Sequence, residues 1–203
     1  MLNIVAIDPG KKGGFAVCAF GKTYCHPMPE SKGDVVELIR NFKTAASLDG
    51  AEHVAVLEKV GGYVGKGQPG SAMFTFGEGF GFLQGCIQSL AVPLVLVTPQ
   101  VWQKSYGLGT ASACATSREW KNKLKDEAQR RYPEIKVTHQ IADALLILNW
   151  ARAAQATMRT ANTSDGAQVC ATPAFADRPT KTIFRWDAEK DSRDGCATNN
   201  KQP

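Results

Sequence analysis

Leu2-Asn3-Ile4-Val5-Ala6-Ile7-Asp8-Pro9-Gly10 is a short, largely apolar run that stops at an acid and a Pro-Gly turn. A run of that length with such an ending predicts a buried strand that delivers the Asp8 carboxylate at its tip. Working outward, Phe15–Phe20 after Gly13-Gly14 is a second strand, and Lys22–His26 after Gly21 a third, which together predict a β-meander. Asp34–Leu48 spaces Val35, Leu38, Ile39 and Phe42 for a helix, with Ser31 or Asp34 available as N-cap. His53–Leu57 is a further strand that runs into Glu58.

Residues 61–85 hold nine of the nineteen glycines and four of the nine phenylalanines, which predicts a loop over 61–70 and then a glycine-rich helix over Ser71–Leu90. Leu94–Val97 reads as a strand and Trp102–Tyr106 as a helical turn. Ser117–Tyr132 reads as a basic helix capped by Ser117 and stopped by Pro133, and Ile141–Ala153 as an apolar helix. Strands followed by alternating strands and helices predict one mixed α/β domain over residues 1–155, with helices on both faces of its sheet. Beyond Gln155 apolar periodicity is lost, and a mobile tail is expected over 156–203.

With 203 residues, 43% apolar and 21% charged, the composition is that of a soluble domain with or without a tail. The apolar runs Ala91–Val97 and Ala142–Trp150 fall short of the roughly 20 residues a membrane span needs, and no signal-peptide pattern is present. A cytoplasmic protein without membrane contact is therefore expected. Six cysteines without a CxxC pair read as free thiols, and with three histidines they offer no zinc quartet. The net charge of +5 is uneven. Residues 1–100 carry eight basic and eight acidic side chains, whereas residues 101–136 carry eight and four. That local excess suits a polyanion such as nucleic acid, and equally a solvated helix face.

Asp8 and Glu58 each follow a strand, and Asp143 lies near the start of the helix that His139 precedes. If the strands are neighbours, both acids project at the same end of the sheet, where open α/β sheets place their sites. Carboxylates so close raise one another's pKa unless a cation neutralises them, and oxygen-rich ligation suits Mg²⁺ or Mn²⁺. Singly, each residue has a plainer reading: Asp8 as a turn former, Glu58 as partner of Lys59 or Lys66, Asp143 as a first-turn helix acid, His139 as a capping residue.

The order of motifs resembles the RuvC-type Holliday-junction resolvases of the RNase H-like superfamily, most closely the divergent versions common in bacteriophages. The pieces are Ile7-Asp8-Pro9-Gly10 with Gly13-Gly14; Leu57-Glu58-Lys59; Gly70-Ser71-Ala72-Met73-Phe74 running to Gly81; Val97-Thr98-Pro99-Gln100-Val101-Trp102-Gln103-Lys104; Lys121 with Tyr132-Pro133; and His139 with Ala142-Asp143-Ala144-Leu145. They span roughly residues 2–150. The resemblance implies an RNase H-like mixed five-stranded sheet and a metal-dependent endonuclease that cuts branched DNA as a homodimer. By the same resemblance Asp8, Glu58 and Asp143 hold two Mg²⁺ or Mn²⁺ ions, and Lys121 stabilises charge on the phosphate. The family commonly places an acid or histidine three residues before the last aspartate. Here that position is Gln140, so His139, four before, is expected as the fourth ligand. Lys66, Lys104, Arg118, Lys123 and Lys125 are expected on DNA phosphates, and Tyr63 stacks on an unpaired base or is a solvated loop residue.

Three rivals remain. A sugar-kinase or actin-like ATPase needs two such halves and a second phosphate loop, more than about 150 residues supply. Against another RNase H-like nuclease, such as an RNA/DNA hybrid nuclease or a transposase fragment, the Thr98–Lys104 segment and the closing Ala-Asp-Ala-Leu favour the resolvase. A branched-DNA-binding protein without catalysis stays open because of Gln140.

Overall fold

The computed structural model describes residues 2–48, 50–59, 61 and 70–164. Tyr63, Lys66 and the expected tail from residue 165 onward lie outside the described residues. The strands are β1 (Leu2–Asp8), β2 (Gly14–Ala19), β3 (Lys22–Pro27), β4 (Glu52–Glu58) and β5 (Leu94–Val97); the helices are α1 (Lys32–Leu48), α2 (Gly70–Ser89), α3 (Pro99–Lys104), α4 (Ser117–Arg131) and α5 (His139–Ser164). They build the mixed five-stranded α/β sheet expected, in the order β3-β2-β1-β4-β5. The meander β1-β2-β3 is antiparallel, whereas β4 runs parallel to both β1 and β5.

Strand alternation divides the core in two. Ile4 and Ala6 of β1 and Val56 of β4 face a cluster completed by Trp102, α4 and α5. Val5, Ile7 and Leu57 face the opposite cluster, under α1 and α2. Residues Ala144 to Leu148 of α5 are all fully buried, because this helix is enclosed between the sheet and the helices outside it. Each large side chain so buried stabilises the fold by roughly 1.5–3 kcal/mol.

Several local readings shift. Ser31, not Asp34, caps α1, its Oγ accepting the Asp34 N–H at 3.0 Å. The cap of α4 is Thr116 rather than Ser117. Its hydroxyl accepts the Glu119 N–H at 3.1 Å, while the Glu119 carboxylate accepts the Ala115 N–H at 2.9 Å, a close relative of the capping box. Pro99 sits in the first turn of α3, where its missing N–H is harmless, so that helix starts before Trp102. Helix α5 continues past Ala153 to Ser164, through an alanine-rich stretch that favours helix without apolar periodicity.

Within α4, the Glu127 carboxylate accepts from Arg130 at 2.8 Å and from Arg131 at 2.7 Å. Arg131 also donates to Asn149 at 3.0 Å and lies over the Tyr106 ring. These contacts tie α4 to α5 and to the turn after α3. The four described cysteines are free thiols. No helix among the described residues is long and apolar enough to cross a membrane.

Candidate active site

The register of two parallel strands decides where the acids stand. Ile7 of β1 pairs with Leu57 of β4, so Asp8 and Glu58 leave neighbouring strand tips side by side. Alternation then turns both away from the α1 and α2 layer and toward α4 and α5. Asp143, in the second turn of α5, lies near enough for its charge to act on both carboxyls.

Two glycines set the spacing. A Cβ on Gly13 would lie 2.1 Å from the Asp8 carbonyl oxygen, so only glycine lets the loop fold back onto the strand tip. Gly14 pairs with Asp8 across the sheet, and a Cβ there would lie 2.7 Å from the Gln140 carbonyl oxygen. The first turn of α5 is therefore seated directly on the β2 backbone beside Asp8.

Burial, reinforced by the charges of Asp143 and Glu58, raises the Asp8 carboxyl well above its ordinary range, with the Lys121 ammonium acting against the rise. Glu58 is pushed up to about 7, mainly by burial; the Trp102 hydrogen bond opposes this and Asp143 adds to it. Asp143 is pushed up to about 6 by burial, again opposed by Lys121. Three acids and one lysine thus share one electrostatic site.

Hard oxygen donors that suffer for want of a positive charge match a divalent cation such as Mg²⁺ or Mn²⁺ in charge and donor type. As placed, no three Asp, Glu, His or Cys side chains among the described residues stand close enough to hold a metal ion. One Glu58 oxygen, Oε2, accepts the indole Nε1–H of Trp102 at 2.8 Å.

The remaining expected residues divide. His139 is the exposed first residue of α5, and its imidazole forms no hydrogen bond or ion pair with the acids. Arg118, Lys121 and Lys125 share one side of α4 by helical spacing, flanking the buried stripe of Trp120, Leu124 and Ala128. Lys123 lies round the helix from them and pairs with Glu119 at 3.3 Å. Lys104 is exposed in the last turn of α3.

Among solved structures, the chain is similar to that described as Thermus thermophilus RuvC structure. Identity is 17% and the TM-score 0.46, over 78% of this chain and 97% of that one. A second similar structure, T. thermophilus RuvC in complex with Holliday junction substrate, gives 17% and 0.46 over 79% and 98%. No family model and no curated protein matches the chain.

Trp102 is the site residue that sequence reasoning passed over as part of a helical turn. Its signal was chemical: a buried indole N–H needs an acceptor, and few are within reach of an apolar core. Trp102→Phe keeps most of the packing and removes the donor. Because that hydrogen bond favours ionised Glu58, the expected result is Mn²⁺ affinity reduced by about 10-fold or more, with the pH midpoint of metal binding moved upward. Calorimetric Mn²⁺ titrations across pH check it; unchanged affinity and midpoint would leave the indole a packing residue only.

Proposed function

We propose that this chain is a divalent-metal-dependent endonuclease of RNase H-like type that cuts four-way junctions or other branched DNA. The observation that carries the reading is that Asp8 and Glu58 leave adjacent parallel strand tips, with Asp143 of α5 and Lys121 of a basic helix near enough for their charges to act on the Asp8 carboxyl. The motifs from Ile7 to Leu145 support the same reading by their order.

Asp8, whose carboxyl feels the charges of both other acids, would be held in common by the cations; Glu58, hydrogen-bonded to Trp102, and Asp143 would complete the carboxylate set, and His139, exposed at the start of α5, would be the fourth residue once turned toward them. Cations held there would lower the pKa of a bound water and neutralise charge on the leaving 3′ oxygen, which leaves 5′-phosphate and 3′-hydroxyl ends. Lys121 places its ammonium beside the acids, where it offsets negative charge that develops on the phosphoryl oxygens. Lys104, Arg118 and Lys125 hold backbone phosphates, which fixes position without reading sequence.

A homodimer belongs to this reading. On α2, Phe74 is 74% exposed, and a Cβ at Gly77, Gly81 or Gly85 would meet nothing, so a second copy has an apolar face to cover.

The test is incubation with a synthetic four-way junction, the matching linear duplex and an RNA/DNA hybrid, each with Mg²⁺, Mn²⁺ or EDTA. Paired nicks in the junction that need metal, with the duplex and hybrid intact, are expected. Junction binding without cleavage under every metal would instead favour a DNA-binding protein without catalysis.

A further inference from the structure

The face of the sheet opposite Asp8 and Glu58 carries a groove. Between β2, β3 and α1 lies an open groove of about 750 Å³. Val17 of β2 and Tyr24 of β3, which pair across the two strands, form one wall, and Leu38 and Phe42 of α1 form the other. Phe20 stands at the lip, 52% exposed, and Tyr24 is 54% exposed, so apolar surface is presented to solvent rather than closed over.

The charge of the groove is one-sided. Glu30, Asp34 and Glu37 line it, and no lysine or arginine does; His26 is the other titratable side chain besides Tyr24 that faces it. None of the three carboxylates is in an ion pair among the described residues. Such a rim repels nucleic acid and attracts cations. It is also separated by the sheet from Arg118, Lys121 and Lys125.

The third feature is the backbone. β3 is an edge of the sheet, and no strand lies along its outer side among the described residues. A free edge beside an apolar groove is what an extended peptide needs: the ladder holds its main chain, and the groove takes its side chains.

The geometry points to a docking site for an extended cationic segment of a partner protein, which adds to β3 as a sixth strand. Its apolar side chains enter between Tyr24 and Leu38, and its Lys or Arg side chains reach Glu30, Asp34 and Glu37. A nucleic acid fails on charge, and a purely apolar peptide leaves the three acids unanswered.

The test uses the full chain and two fluorescein-labelled peptides of about ten residues: the first carries both Lys and Val or Phe on one strand face with Thr at every intervening position, and the second has Glu in place of Lys. By fluorescence anisotropy the basic peptide should bind and the acidic one should not. Combining Glu30→Lys with Glu37→Lys should weaken binding by about 10-fold or more, as should Tyr24→Ala, while junction binding by the same variants is unchanged. Equal binding of both peptides, or indifference to the charge reversals, would overturn the proposal. So would a concentration-dependent dimer that the same reversals abolish, which would give the groove to a second copy of this chain.

Discussion

Asp8→Asn reduces metal-dependent cleavage of a four-way junction by at least about 100-fold, while junction affinity stays the same or rises. The two effects separate because Asp8 plays two parts. As a carboxylate at the tip of β1 that feels the charges of both Glu58 and Asp143, it is the acid that a bound cation would share. As a negative charge beside Lys121, it also repels a DNA phosphate brought to the same spot. The amide keeps the shape and removes the charge, so catalysis is lost and one repulsion with it. Single-turnover cleavage and gel-shift titration of the same preparation read the two quantities. Parallel loss of binding and cleavage would make Asp8 a structural residue whose replacement disturbs the strand tip.

The metal-free protein should lose stability as pH rises from 5 to 8, and divalent cations should restore it. The sign follows from the raised carboxyls. Unfolded, these acids ionise near their ordinary values of about 4; folded, Asp143 ionises at about 6 and Glu58 at about 7. Between those limits the folded state binds more protons than the unfolded, so stability is present at low pH and lost as pH climbs through the folded values. For interacting groups the sum is on the order of 3 kcal/mol, which corresponds to a Tm about 6–12 °C lower at pH 8 than at pH 5 in a domain of this size. Glu127, held down chiefly by its hydrogen bond from Arg130, works in the opposite sense, but only below the ordinary carboxyl range and therefore outside this window. Thermal melts in EDTA at the two pH values, repeated with Mn²⁺ at pH 8, measure both halves. A flat Tm with no response to metal would show that the acids are independently hydrated and not a cation site.

Much of this arrangement was legible because strands and acids are local signals. The stop at Asp8-Pro9-Gly10 and the run into Glu58 each mark a strand tip, and one assumption, that the two strands are neighbours, is enough to bring the carboxylates together. What sequence spacing could not supply was rotamer and partner. His139 and Asp143 have the separation of two residues on one helix face, yet His139 begins α5 and remains exposed. Glu58 could be expected to pair with a nearby lysine, whereas it accepts from an indole 44 residues away, brought in by β5 and α3. Thr116 outranks Ser117 as cap because Glu119 answers it from three residues on. The acidic groove lay beyond reach for a different reason: its walls come from three elements whose faces are joined only once β3 folds back on β2 and α1 crosses them.

The seat of α5 on Gly14 carries a last consequence. β2 donates no acid to the site, yet the height of Asp143 above the sheet is set by the absence of a side chain on that strand, opposite Asp8. A single methyl at position 14 would act as a shim between sheet and helix, tilting one carboxylate away from the other two without touching any of them. The tolerances of the site are thus machined into a strand that performs none of its chemistry.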